Sequence, residues 1–170
     1  MKKLVLVLSI LISMVSLMAF SGGGEDAHST GGAPSGYAGD PGGGNQTCKS
    51  CHIGPGLITL SGLITSNIPP GGYTASTTYT ITANFIRSGH VKFGFEISPQ
   101  STSGVQKGIL ANITTNTQLV GAGGKYITHT TSGVTGSGSI TWDFLWTAPA
   151  TGQGPVTFYG ALNAADGDET

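Results

Sequence analysis

Ile140-Thr141-Trp142-Asp143-Phe144-Leu145-Trp146-Thr147 is the stretch that decides the fold class of this chain. Side chains alternate between the two faces of an extended strand, so Ile140, Trp142, Phe144 and Trp146 share one face while Thr141, Asp143 and Thr147 share the other. A row that bulky belongs in a core. Pro149 and the turn Thr151-Gly152-Gln153-Gly154 end the strand, and Val156, Phe158 and Leu162 mark one more after it.

The same alternation recurs on the N-terminal side. Tyr79, Ile81, Ala83 and Phe85 alternate with Thr78, Thr80, Thr82 and Asn84, and Val91, Phe93, Phe95 and Ile97 follow the Ser88-Gly89 turn. Ile109, Ala111 and Ile113 suggest another strand, with a short one over 118–120 and a β-branched one over 125–131. A mixed apolar and Thr run over 57–65 is closed by the Pro69-Pro70-Gly71-Gly72 turn cluster. Seven or eight short strands at this spacing predict an all-β domain, an immunoglobulin-like sandwich with a barrel as the alternative.

The 170 residues divide into five segments. Lys2 and Lys3, the apolar run Leu4 to Phe20 and the small-x-small sequence Ala19-Phe20-Ser21 predict a cleaved export signal over 1–21. A Gly/Ser/Pro/Asp-rich leader over 22–46 has no apolar periodicity and is expected to be flexible or loosely packed. Residues 47–53 hold a cysteine motif, 54–165 the sandwich, and 166–170 a tail. After cleavage no membrane span is expected, and the protein belongs to the periplasm, the outer surface or the exterior. Cleavage leaves five basic against eight acidic residues. Lys49, Arg87, Lys92, Lys107 and Lys125 are few and scattered, which excludes nucleic acid as a partner.

Thr47-Cys48-Lys49-Ser50-Cys51-His52 contains both cysteines of the chain. Its C-x-x-C-H spacing is that of covalent haem c attachment: Cys48 and Cys51 add to the haem vinyl groups, and the His52 imidazole becomes the proximal iron ligand. Other readings compete. A thioredoxin-like pair lacks its βαβ context, and a structural zinc site lacks a second pair of ligands. A two-residue disulfide with an incidental histidine is the plain alternative in an exported protein. Met1, Met14 and Met18 are the only methionines and all lie in the signal segment, so the mature chain offers the iron no thioether. The sixth ligand is then expected to be His129, on a strand, with His90, in a turn, as second choice and His28, in the leader, behind both. Tyr126 points away from Ile127 and His129 by alternation and reads as a packing residue.

Several motifs occur in order: Gly36-Tyr37-Ala38-Gly39-Asp40-Pro41-Gly42 leading into the cysteine pair, Tyr126-Ile127-Thr128-His129-Thr130, Trp142 to Pro149, and Gly154-Pro155-Val156-Thr157-Phe158-Tyr159. With them the chain resembles the bacterial Reeler-like family called choice-of-anchor V. The resemblance implies an exported β-sandwich related to the reelin N-terminal domain, with C-x-x-C-H at its start and often a C-terminal sorting segment. It implies no established activity. The sequence departs from the family by stopping at Asp168-Glu169-Thr170, which leaves the anchoring mode and the last edge of the sandwich open.

No catalytic set accompanies the cysteine motif. Asp143 and Glu96 lack paired-carboxylate spacing and are expected to be solvated, and no nucleophile-elbow pattern occurs. Asn45-Gln46-Thr47 and Asn112-Ile113-Thr114 match the glycosylation sequon, a frequent pattern. Two functions from different classes follow. The first is a monohaem c-type electron-transfer module of the cell envelope, serving a redox partner protein that the sequence does not identify. The second is a structural or adhesive Reeler-like surface domain whose cysteines form a disulfide. A haem enzyme with an open sixth position comes third.

Overall fold

The computed structural model describes residues 31–52, 54–151 and 153–167. The signal segment, His28 and the last three residues of the tail lie outside them. Eight strands follow in order: β1 (Ile64–Ser66), β2 (Thr78–Ile86), β3 (Lys92–Gln100), β4 (Ile109–Asn112), β5 (Thr117–Val120), β6 (Tyr126–His129), β7 (Ser139–Thr147) and β8 (Thr157–Ala165). They form two four-stranded antiparallel sheets, β1-β2-β7-β4 and β5-β6-β3-β8. The fold class is the all-β sandwich expected from the alternation.

The aromatic row of β7 is the centre of the core. In the β2–β7 register Tyr79 stands opposite Trp146, Ile81 opposite Phe144, Ala83 opposite Trp142 and Phe85 opposite Ile140. Trp142, Phe144 and Trp146 are fully buried and pack on Phe93, Phe95, Ile97 and Ile127 of the second sheet. Burying each large ring contributes on the order of 4–6 kcal/mol before entropy is subtracted. The Phe95 and Trp142 rings lie 4.4 Å apart between centroids. Both indoles find acceptors, Trp142 Nε1 donating to the Gly133 carbonyl at 2.7 Å and Trp146 Nε1 to the Lys107 carbonyl at 2.9 Å. No polar atom of the row is left stranded. Gly160 of β8 sets the spacing at one edge, because a Cβ there would stand 2.8 Å from Ile64 Cδ1 and 3.0 Å from Ile97 Cγ1.

Two expectations fail in register. Of the run over 57–65, only Ile64 and Thr65 join a strand, β1, which ends at Ser66. Leu57, Ile58 and Leu60 are 68, 58 and 45% exposed, because the chain here crosses from one sheet to the other with no strand to pair with. In β4 the buried residue is Leu110, opposite Trp146, whereas Ile109 and Ile113 face outward. An uninterrupted apolar run carries no period to choose the face.

β3 is buried on both faces. Phe93, Phe95 and Ile97 face the core, yet Glu96, Ser98 and Gln100 on the other side are also at most 2% exposed. A sheet face closed in this way requires a cover, and the cover comes from the Gly-rich leader.

Candidate functional site

The composition of the leader predicts a loose segment, and over residues 33–50 the structure corrects this. That stretch is a strap across the outer face of the second sheet. The Ala33 amide donates to Thr128 Oγ1 at 3.1 Å, the Tyr37 amide to Glu96 Oε2, and the Gly42 amide to Gln100 Oε1 at 3.1 Å. It also folds on itself, the Gly39 amide reaching the Gln46 carbonyl at 2.7 Å and the Asn45 amide the Asp40 carbonyl at 2.9 Å. Its glycines serve close approach. A Cβ on Gly43 would collide with the Gly36 carbonyl oxygen, and one on Gly42 would stand 2.7 Å from that of Gly104. Composition alone does not separate tight packing from flexibility, since both favour glycine.

Asp40 is the anchor of the strap. It caps the 3-10 turn Pro41–Gly43, and its Oδ2 accepts from the Gly43 amide at 2.7 Å, Gln100 Nε2 at 2.5 Å and the Tyr126 hydroxyl at 3.0 Å. Ser98 Oγ receives a second Gln100 Nε2 contact at 2.9 Å and donates to the Lys125 carbonyl at 2.9 Å. Beside this network stands Glu96, fully buried and opposite Thr128 of β6 and Ala161 of β8. The expectation that Glu96 is solvated is therefore corrected: the strap closes over it. Asp143, in contrast, is exposed and accepts from Thr82 Oγ1 at 2.5 Å. Asp40 Oδ1 and Glu96 Oε1 are buried without a hydrogen-bond partner among the described residues. Burial pushes Glu96 up to about 7, the neighbouring Asp40 adds to the rise, and the Tyr37 amide opposes it. Burial and its bond to Asp40 push the Tyr126 phenol up to about 12.

The strap ends in the cysteine motif. Thr47 caps a 3-10 turn over Cys48–Ser50 with a capping box, the Lys49 amide donating to Thr47 Oγ1 at 3.3 Å and the Thr47 amide to Ser50 Oγ at 3.4 Å. The amides of Cys51 and His52 both return to the Cys48 carbonyl, at 3.2 and 2.9 Å. The turn rests against β8. Cys48 is half-buried and Cys51 exposed. Burial raises the Cys48 thiol to about 11, with Glu96 and Cys51 raising it further and a backbone hydrogen bond opposing. Lys49 Nζ turns away from the acids to the Gly54 carbonyl, 2.5 Å off.

The histidines are distributed differently. His52 is half-buried at the end of the turn. His129 closes β6, is 6% exposed, and its Nδ1 accepts the Phe95 amide at 3.2 Å. With the turn on β8 and His129 on β6, β3 lies between them. His90 sits in the turn before β3, its Nδ1 3.1 Å from the Ser88 carbonyl oxygen. Glu96 lies six residues further along the chain, in the middle of β3. Among the described residues no three His, Cys, Asp or Glu side chains converge as a metal site would require, and no helix is long and apolar enough to cross a membrane.

Sequence reasoning misses the buried polar network of Asp40, Glu96, Ser98, Gln100 and Tyr126. The available signal is the strict alternation of Glu96, Ser98 and Gln100 opposite the apolar row of β3, which looks the same whether that face meets solvent or a strap.

No family model matches the chain, and no curated protein matches it. Among solved structures it is similar to two of the human F-spondin reeler domain. One is 16% identical, covering 61% of this chain and 75% of that one with a TM-score of 0.47. The other is 17% identical, covering 62% and 78%, with a TM-score of 0.47. A structure of the Reelin-N domain of F-spondin gives 17% identity, coverage of 61% and 74%, and a TM-score of 0.48.

Proposed function

We propose that this chain is a non-enzymatic, exported surface domain, structural or adhesive in role, in which Cys48 and Cys51 close a disulfide that staples the end of the strap. The observation that carries this reading is the seating of the cysteine turn: it ends a strap that is hydrogen-bonded to the outer face of the second sheet. In a 3-10 turn residues i and i+3 lie one above the other, which places these two side chains on the same side of the turn. A bond between them fixes the last turn of the strap without disturbing the core. Intact mass of the exported protein tests the reading. The disulfide removes two hydrogens and blocks alkylation of both cysteines until reduction, whereas an unreduced protein that alkylates twice overturns it.

A second reading, the c-type haem module, is favoured by a separate observation. Leu57, Ile58 and Leu60 present an apolar strip to solvent shortly after the motif, a surface of the kind that an apolar macrocycle covers. Cys48 and Cys51 would hold the haem through thioethers and His52 would ligate the iron, which when bound supplies one-electron chemistry. His129 stands as the proposed sixth ligand, and its Nδ1 is engaged by the Phe95 amide. A mass increase of one haem that survives acid-acetone extraction selects this reading over the first.

A further inference from the structure

We propose that the strap is a pH-gated clasp that holds Cys48 against the second sheet, with the Glu96 carboxyl as its latch: neutral Glu96 keeps residues 36–50 seated, and ionised Glu96 releases them and opens Cys48 to thiol chemistry. The inference goes beyond the proposed function, because it concerns access to the Cys48 thiol in the reduced chain.

Glu96 stands in the middle of the sheet, flanked by Thr128 and Ala161, and the strap covers it completely. One oxygen holds the Tyr37 amide, and the other is buried with no hydrogen-bond partner among the described residues. Burying a charge is costly without a paired countercharge, and leaving one oxygen of an ionised carboxylate bare adds to the cost. The groups that face it do not compensate. From the strap comes Asp40, a second carboxyl with a bare oxygen; from the cysteine turn, Cys48; from β6, the Tyr126 phenol. On β8 the Tyr159 phenol stands opposite Ser98; on β3 itself Lys92 donates to Thr135 Oγ1 at 3.3 Å; and on β6 His129, next to Thr128, accepts the Phe95 amide at its Nδ1.

No lysine is hydrogen-bonded to the carboxyl among the described residues. Lys49 is bonded to the Gly54 carbonyl, and Lys125 lines the open cleft between the strap and the β5–β6 turn. Ionisation therefore places a negative charge beside the Asp40 carboxyl, under the strap, with no cation hydrogen-bonded to it among the described residues. The burial that raises Glu96 to about 7 places this event within the range that an exported protein meets. The strap is the element that can yield, because its hold is a set of amide bonds to side chains rather than a strand ladder. When it lifts, the turn over Cys48–Ser50 loses its mount and the Cys48 thiol loses both its shelter and its negative neighbour.

The test uses the full, reduced chain. Amide hydrogen exchange, corrected for the intrinsic pH dependence of exchange, is followed for residues 36–46 between pH 5.5 and 8.5. Alkylation of Cys48 is read by peptide mass spectrometry as a ratio to the exposed Cys51 of the same molecule. Protection is expected to fall at least tenfold between pH 5.5 and about 7.5 and to level off above that, with the Cys48 to Cys51 ratio rising in step. Glu96→Gln should make both readouts independent of pH, and Asp40→Asn should move the wild-type midpoint to lower pH by removing the neighbouring charge. Protection that is flat across this range in the wild type overturns the gate, as does an unchanged pH dependence in Glu96→Gln. If Glu96→Gln does not fold, the wild-type profile and the direction of the Asp40→Asn shift decide. Because the chain is reduced throughout, an exported protein that lacks the disulfide ends the stapling reading and leaves this result standing on its own.

Discussion

The Tyr126 hydroxyl donates to Asp40 Oδ2 at 3.0 Å, so the aromatic residue that opens β6 is tied to the one acid of the strap, itself fully buried. The pair joins two elements 86 residues apart in sequence. Tyr126→Phe removes this bond and leaves Asp40 with the Gly43 amide and Gln100. Hydrogen bonds to charged groups contribute about 1.5–3 kcal/mol, and a loss of that size is expected in urea unfolding. Faster exchange confined to the strap should accompany it. An unchanged denaturation midpoint would show that Tyr126 serves only as packing.

The β7 row is expected to dominate stability. Trp142→Ala and Trp146→Ala should each cost roughly 3–5 kcal/mol, as large-to-small changes in a close-packed core do. Each also strands a carbonyl, Gly133 or Lys107, that now accepts an indole N–H. Chemical denaturation monitored by the remaining tryptophan measures both, and parental stability in either variant contradicts the placement of the row.

Gly160 has no room for a side chain. Gly160→Val would press on Ile64 and Ile97 and force β8 away from β1, with an overpacking cost of typically 1–3 kcal/mol. Thermal unfolding reads the loss directly, and a Gly160→Val variant that melts with the parent would mean that the two sheets separate freely at this edge.

Stability should fall with rising pH. The folded state binds the Glu96 proton more tightly than the unfolded chain, its pKa being about 7 against an ordinary 4.5. That contribution is fully present below about pH 4.5 and is lost as pH rises through about 7. The urea midpoint of the wild type is expected to be higher at pH 5.5 than at pH 8, with the slope much reduced in Glu96→Gln. A midpoint that rises over this interval contradicts the assignment.

His129 separates a structural from a ligating role. His129→Ala removes the acceptor of the buried Phe95 amide, and an unsatisfied buried donor costs about 1–3 kcal/mol. This loss is expected in protein made without haem. If covalent haem is found, the same variant should also turn the iron high-spin while His90→Ala leaves the spectrum alone, as a sixth ligand on β6 requires.

Local alternation was enough to determine the fold class and the composition of the core. The period of two in 79–85, 93–97 and 140–146 survives any pairing of the strands, because the face of each residue is fixed within its own strand. The sequence also singled out Cys48, Cys51 and His52, since adjacent residues are kept together by the chain itself. It did not determine what lay over the outer face of β3. Glu96, Ser98 and Gln100 have the polar pattern of an exposed face, and Gly36 to Gly44 have the composition of a linker. Only the docking of one on the other turns the acid into a buried group and the glycines into close contacts. Such a cover is a long-range relationship of 58 to 95 residues between hydrogen-bonding partners. It leaves no periodicity behind, because side chains that receive amides from a strap and side chains that receive water are drawn from the same polar set.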